Sequence, residues 1–199
     1  QKLTVEDVCN PRLAAIAAFA SEQMHCPNPH PFCPEPFNFI HFGNIANHVE
    51  SPERFIREMI SATESVHKIW EMNELTKNGE ISDENIFLQS STTITKLEHV
   101  IWAELRMFLS AYSDMQCSLI ENWPKDSYLK GWTVRLRRNG HHPFHIHDEG
   151  WVSGVVYLKV DQTGTSEGAI EFSNTQGNLP LLNDDFLKIT LMPEVGDIL

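Results

Sequence analysis

Hydrophobic residues recur every three to four positions in three stretches of the first 112 residues, and this spacing predicts helices over 4–24, 51–75 and 95–112. The first stretch has a loose apolar stripe with an alanine-rich middle. The second opens with Ser51-Pro52-Glu53, a helix-capping residue followed by proline and an acid in the first turn. The third opens with Thr95 and Glu98 at capping-box spacing. We expect the latter two helices to cover one face of a sheet.

The period of the pattern changes to two after Ser118, which is typical of half-buried strands. Trp132, Val134 and Leu136 alternate with polar residues, and Asn139-Gly140 predicts a tight turn. Residues 76–84 predict a polar loop. Further short strands are predicted at 86–88, 141–147, 151–160, 168–173, 186–192 and 196–199. Helices followed by short, evenly spaced strands indicate an α+β fold with an antiparallel barrel or sandwich.

A proline-rich segment, residues 25–37, separates the first two predicted helices. Its prolines exclude a regular helix or a central strand. We expect a rigid surface strap held by Phe32, Phe37 and Phe39. The histidines and cysteines of this segment also suggest zinc, although their spacing matches no common zinc module.

Composition and charge argue against some classes of function, namely broad nucleic-acid binding and membrane insertion. The 199 residues are 41% hydrophobic and 21% charged, with a net charge of −12, so broad binding to a nucleic-acid backbone is excluded. A local cluster of Arg135, Arg137 and Arg138 remains. No apolar run reaches the length of a membrane span. We therefore expect a small-molecule or peptide substrate and no nucleic-acid or membrane partner, and the sequence is silent on oligomeric state.

The cysteine count and the chain start bear on cellular context. Four cysteines in 199 residues are too few for a disulfide scaffold, and this predicts a reducing, cytoplasmic location. The chain begins at Gln1 rather than methionine, so we expect it to be part of a longer or processed polypeptide.

Four histidines lie within seven residues, at positions 141, 142, 145 and 147. On an extended strand, His145 and His147 would point to the same face, so their imidazoles can bind one metal ion. An open site of this kind, completed from another strand, suits non-haem Fe(II) and O₂ chemistry. The alternative is a histidine-rich turn in solvent.

The sequence around these histidines resembles a family of 2-oxoglutarate/Fe(II)-dependent oxygenases, whose double-stranded β-helix barrels are often attached to tetratricopeptide repeats. The resemblance covers most of residues 30–199 and rests on an ordered set of short matches: Phe32-Cys33-Pro34, Phe39-Ile40-His41, Asn122-Trp123-Pro124, Trp132, Arg135, Asn139-Gly140, His145-x-His147, Gly150–Leu158, Gly168–Phe172, and Pro193-x-x-Gly196–Leu199. It implies an α+β fold with a double-stranded β-helix (jelly-roll or cupin-like) barrel and N-terminal supporting helices. Residues 1–30 would then be a helix and strap that could end an upstream helical region, and residues 31–199 a barrel lacking its C-terminal strands.

The resemblance also implies a reaction and its cofactors. Fe(II) and the cosubstrate 2-oxoglutarate would support hydroxylation of an unknown substrate, with decarboxylation of 2-oxoglutarate to succinate. His145 would be the first iron ligand. His147 stands where the wider superfamily usually has Asp or Glu, which leaves open a three-histidine site or a different metal. The neighbouring Asp148 is the alternative second ligand. By the family pattern, the third ligand and the basic residue that binds 2-oxoglutarate are expected beyond Leu199.

Two further residues are candidates for contact with the cosubstrate. Tyr157 would share a face with the two histidines if the strand ran straight, and Arg135 could bind a carboxylate inside the barrel or lie on the surface. Two other functions remain open. The domain could be a cupin-like metal-binding protein of another reaction type, or a non-catalytic interaction module attached to a helical array.

Overall fold

The computed structural model describes residues 5–71, 76–160, 167–175 and 179–199. Its helices are α1 (Val5–Val8), α2 (Pro11–Gln23), α3 (Pro52–Glu64), α4 (Thr92–Ala111) and α5 (Ser118–Glu121), with 3₁₀ turns at Pro36–Phe39, Ile45–Asn47 and Ile86–Leu88. Its strands are β1 (Gly43–Asn44), β2 (Lys68–Trp70), β3 (Lys77–Ser82), β4 (Val134–His141), β5 (Ile170–Ser173), β6 (Lys188–Leu191) and β7 (Asp197–Ile198).

The strands form small antiparallel sheets, in the orders β2-β3-β4, β5-β6 and β1-β7. The predicted α+β class with antiparallel pairing is confirmed. Within the described ranges, however, no sheet closes into a barrel, because β4 pairs there with β3 alone and each of the other two sheets has two strands.

Helices α3 and α4 carry the main core, as their apolar spacing predicts. One face of each helix packs with the segment around β1 and with β7, in a cluster made of Ile45, Phe55, Ile56, Met59, Ile86, Ile94, Leu97, Val100 and Ile198. Burial of such side chains contributes about 1.5–3 kcal/mol each before the entropy of ordering is subtracted. The core therefore fixes α4 against α3 and against the C-terminal strand β7.

The second and first predicted helices are shorter than the sequence suggested. Helix α3 ends at Glu64 rather than near residue 75, because the Lys68 ammonium donates to the carbonyls of Thr63, Glu64 and Val66, and the chain then enters β2. The first helix is interrupted ahead of Pro11, where the side chain of Asn10 caps the new helix α2.

Asn78-Gly79 and Asn139-Gly140 both lie inside paired strands, so the predicted loop at 76–84 and the predicted turn at Asn139-Gly140 are wrong. Residues 77–82 of the predicted polar loop form β3, and β4 continues through Asn139-Gly140 to His141. Asn78 and Asn139 adopt left-handed backbone angles, with φ of 49° and 63°, at a register shift in the β3–β4 pairing. The Asn78 side chain donates to the Arg138 carbonyl at 2.7 Å, so the two pairs form a bulge rather than a hairpin turn.

The other predicted strands are realised unevenly. Strands β5, β6 and β7 lie within predicted strands, whereas residues 86–88 form a 3₁₀ turn. Neither the histidine segment after His141 nor residues 151–160 is a regular strand. The second of these is tied to the C-terminus, because Val155 and Leu199 exchange backbone hydrogen bonds and Val156 bridges Ile198.

Helix α2 and the proline-rich strap pack near the C-terminal end of α4, whereas the main core involves its N-terminal half. Ala14, Phe32, Phe108, Cys117 and Leu119 form a second core cluster, and the Phe32 ring meets Trp151 edge-on at 5.1 Å. The strap is thus held by Phe32, as predicted. Cys33 beside it is a free thiol whose pKa is raised to about 12 by burial and by the neighbouring Cys117.

No helix in the described ranges is long and apolar enough to cross a lipid bilayer. The proposed division of the chain near residue 30 stays a prediction.

Candidate metal centre

The histidine cluster lies where β4 ends. Strand β4 stops at His141, and Pro143 cannot donate a backbone hydrogen bond to continue the ladder. The chain from His142 to Gly150 is therefore irregular and closes with a turn in which Gly150 N–H donates to the His147 carbonyl at 3.1 Å. The expected extended strand is absent here, but the two central histidines still converge.

His145 and His147 direct their imidazoles to the same point. Their ring centroids are 4.8 Å apart and their Nε2 atoms are 3.2 Å apart. The Nδ1–H of His145 donates to the Pro143 carbonyl at 2.8 Å, because a carbonyl oxygen can only accept. The Nε2 atom of a neutral His145 then carries the lone pair and faces His147, which is the orientation that a metal ligand requires.

The spacing of these nitrogens fits two ligands of one metal ion. With metal–nitrogen bonds of about 2.0–2.1 Å, neighbouring ligand nitrogens are about 2.8–3.0 Å apart in octahedral geometry and about 3.3–3.4 Å apart in tetrahedral geometry. The pair, at 3.2 Å, lies between these two ranges, so a small shift of either ring reaches one of them. In the parts of the chain that the structure describes, no group of three or more His, Cys, Asp or Glu side chains is placed to hold a metal ion. The two imidazoles are therefore a candidate pair of ligands, and their metal-binding role stays a prediction.

Local electrostatics favour the neutral imidazoles that metal binding needs. Partial burial, to which the Trp132 ring 5.4 Å away contributes, lowers the pKa of His147, and His145 lowers it further. Burial also lowers the pKa of His142, with added repulsion from His145 and His147. An imidazole with a lowered pKa is already neutral near pH 7, so it can bind a metal cation without first losing a proton.

The two other histidines of the cluster lie behind the pair. The His142 ring is 5.7 Å from that of His145, and its Nε2 approaches the Thr76 hydroxyl at 3.5 Å. His141 is exposed at the end of β4, opposite Lys77.

Asp148 is engaged elsewhere. Its carboxylate forms an ion pair with the Arg12 side chain, which projects from α2. This pairing holds the carboxylate toward the N-terminal helix, and the choice of His147 over Asp148 as the second ligand stays a prediction.

Of the two predicted cosubstrate contacts, Arg135 has acidic partners in this structure and Tyr157 is held through its backbone. The guanidinium of Arg135 lies 3.3 Å from Glu80 and 3.9 Å from Glu64. The Tyr157 backbone N–H donates to the Asp197 carbonyl at 2.9 Å, and burial together with Asp197 raises the pKa of its hydroxyl to about 12. His145 and His147 are brought together, whereas the roles of Tyr157 and Arg135 stay predictions.

The zinc site considered for the proline-rich strap is not assembled. Both ring nitrogens of His30 serve the backbone, since Nε2 donates to the Asp7 carbonyl at 3.0 Å and Nδ1 accepts from Phe32 N–H at 3.3 Å. The buried His30 is therefore a structural residue of the strap.

The sequence analysis missed a buried polar cluster on α4. The Glu104 carboxylate is 3% exposed and accepts hydrogen bonds from His41 at 2.9 Å and from His48 at 2.5 Å. Burial opposes its ionisation, but the bonds from His48 and His41 outweigh burial and lower the pKa of Glu104. The sequence feature that could have revealed this cluster is Glu104 itself, an acid that lies on the same face of the helix as the apolar Leu97 and Val100.

Comparison with known proteins supports the resemblance over one part of the chain. Residues 130–199 match the model of a family described as "Putative 2OG-Fe(II) oxygenase". The matched region contains β4, the histidine pair and β5 to β7. No curated protein and no solved structure matches the chain.

Proposed function

We propose that this chain contributes to a non-haem Fe(II), 2-oxoglutarate-dependent oxygenase that hydroxylates a substrate and releases succinate. The observation that carries the proposal is the 3.2 Å separation of the His145 and His147 Nε2 atoms, inside the region that matches the oxygenase family. When bound, Fe(II) and 2-oxoglutarate supply the oxidising chemistry, as cofactors do in this type of enzyme.

The residues of the chain have the following roles in this proposal. His145 and His147 bind the metal through Nε2, and the Pro143 carbonyl orients His145 through its Nδ1–H. For His147 to bind the metal through Nε2, its neutral ring would carry its proton on Nδ1, so the proton between the two Nε2 atoms would move from Nε2 to Nδ1 of His147 through solvent. Trp132 shields one side of His147 from water. Further ligands come from outside the described residues.

The finer features of the fold belong to the same proposal. We propose that residues 31–199 form part of a double-stranded β-helix, in which β4 and the histidine segment lie near one end. The antiparallel pairing of β4 with β3 and of β5 with β6 supports this assignment. Tyr157 and Arg135 remain the proposed contacts of the 2-oxoglutarate carboxylates; Arg135 would have to leave Glu80 and Glu64 to make such a contact.

The decisive experiment measures succinate formed from 2-oxoglutarate in the presence of Fe(II) and O₂. It uses the natural polypeptide that contains these residues. We expect turnover in the wild type, loss of turnover in His145→Ala, and unchanged turnover in His67→Ala. His67 is the matched control because it is an exposed histidine paired with Asp83 on another part of the surface.

Two outcomes would replace the proposal. Metal binding at His145 and His147 without any consumption of 2-oxoglutarate would indicate a cupin-like protein with another reaction. Absence of both metal binding and turnover would leave a non-catalytic interaction module.

A further inference from the structure

A groove of about 540 Å³ lies between α3 and α4, away from the histidine pair. The two helices run in opposite directions along it. Glu104, in the second half of α4, accepts a hydrogen bond from His48 just ahead of α3, whereas Lys96, in the first turns of α4, lies close enough to lower the pKa of Glu58 in the middle of α3. Ser51 marks one end of the groove and Glu58 the other. They are seven residues apart, which is about 10 Å along the axis of α3.

The first end of the groove accepts hydrogen bonds and carries negative charge. The Nε2–H of His48 is committed to Glu104 at 2.5 Å, so the nitrogen left for a ligand is Nδ1, an acceptor in the neutral ring. Glu50 lines the same end with an exposed carboxylate. Two acceptors, one of them anionic, suit an ammonium group.

The second end carries an excess of positive charge. Arg54 forms a hydrogen-bonded ion pair with Glu58 at 2.8 Å, and that bond is the main cause of the lowered pKa of Glu58. Lys96 on α4 lines the same groove and is near enough to lower the pKa of Glu58 further. Two cations share one carboxylate, so a net charge of about +1 is left to attract an anionic group.

The floor between the two ends is apolar. Phe55 and Val100 are 5% and 4% exposed and form the base of the groove, together with Val49 and Ala103. His99 lies on the α4 wall between Lys96 and Val100. The volume is within the range of about 300–1,000 Å³ that is usual for small-ligand sites. An extended peptide spans about 3.3–3.6 Å per residue, so three residues match the distance between the ends.

We infer that this groove binds a short zwitterionic peptide of two or three residues with an apolar side chain, its ammonium group at Glu50 and His48 and its carboxylate at Lys96 and Arg54. Opposite charges at the two ends and an apolar floor between them define this ligand class. An anion or a cation alone would satisfy one end and leave the other uncompensated. The inference is independent of the oxygenase proposal, since it uses no residue of the histidine pair.

The first test is calorimetric titration of the 199-residue chain with the tripeptide Ala-Leu-Ala in three forms: free, N-acetylated and C-amidated. We expect the free tripeptide to bind, and each capped form to bind about tenfold more weakly, because each cap removes one charge-assisted contact. The wild-type protein suffices for this comparison, so no variant needs to fold.

The second test assigns the ends. Glu50→Gln should weaken binding of the free tripeptide about tenfold and leave the affinity of the N-acetylated form unchanged. Lys96→Gln should weaken binding of the free tripeptide about tenfold and leave the affinity of the C-amidated form unchanged. Glu121→Gln and Lys125→Gln, which replace exposed residues outside this groove, are the matched controls. No binding at about 10 mM free tripeptide, or equal binding of all three forms, would overturn the inference.

Discussion

The Arg12 side chain on α2 forms an ion pair with Asp148, the residue that directly follows His147. The contact joins the N-terminal helix to the candidate metal centre across 136 positions of sequence. It also distinguishes the two candidates for the second metal ligand. The Asp148 carboxylate is paired with Arg12, whereas the His147 imidazole faces His145.

Asp148→Asn should therefore have little effect on metal binding. We expect the Co(II) dissociation constant to stay within about threefold of the wild type, and the free energy of unfolding to fall by about 1 kcal/mol or less, since Arg12 is largely exposed. Absorption titration with Co(II) and urea denaturation measure the two quantities. If Asp148→Asn abolished metal binding while His147→Ala kept it, Asp148 would be the ligand.

Glu104→Gln should destabilise the fold in a pH-dependent manner. At neutral pH the amide can accept from only one of His41 and His48, so we expect a loss of about 1–3 kcal/mol. The pKa of Glu104 in the folded protein lies below its ordinary value of 4.5, so its ionised form contributes stability above about pH 4.5. That contribution is lost as the pH falls through the folded pKa.

Urea unfolding of the wild type and Glu104→Gln between pH 3 and pH 7 checks this sign. The difference in unfolding free energy between the two proteins should be largest near neutral pH and should shrink toward pH 3. A difference that grew on acidification would mean that the carboxylate is not held ionised by its two imidazole partners.

Gly43 is required because of the same carboxylate. A Cβ atom at this position would overlap the Glu104 carboxylate. We expect Gly43→Ala to cost about 1–3 kcal/mol of stability in the wild type. In a Glu104→Ala background the added methyl group enters vacated space and should cost much less, and a double-mutant cycle of unfolding free energies measures this coupling. Additive effects would contradict the close contact.

The helical half of the fold was predictable because its signals are local. Periodic apolar residues and helix-capping residues place α3 and α4 within a few residues of their observed starts. The loop and turn predictions at Asn78-Gly79 and Asn139-Gly140 failed because an asparagine with left-handed backbone angles occurs in β-bulges as well as in turns. Only the pairing of β3 with β4 distinguishes the two.

The candidate site was predictable in part. The sequence predicted that the imidazoles of His145 and His147 share one face of a strand. The two rings do lie together, although the segment is not a strand, and their role as metal ligands stays a prediction. The Arg12–Asp148 pair and the His41–Glu104–His48 cluster join residues far apart in the chain, so no local pattern could reveal them. The cytoplasmic location and the division at residue 30 stay predictions.

The central claim is that His145 and His147 bind one metal ion together, and a Co(II) titration followed by visible absorption tests it most directly. We expect the 199-residue chain to bind one equivalent, His145→Ala and His147→Ala each to weaken binding by more than about tenfold, and His67→Ala to bind as the wild type does. Equal Co(II) affinity in the wild type, His145→Ala and His147→Ala would contradict the account.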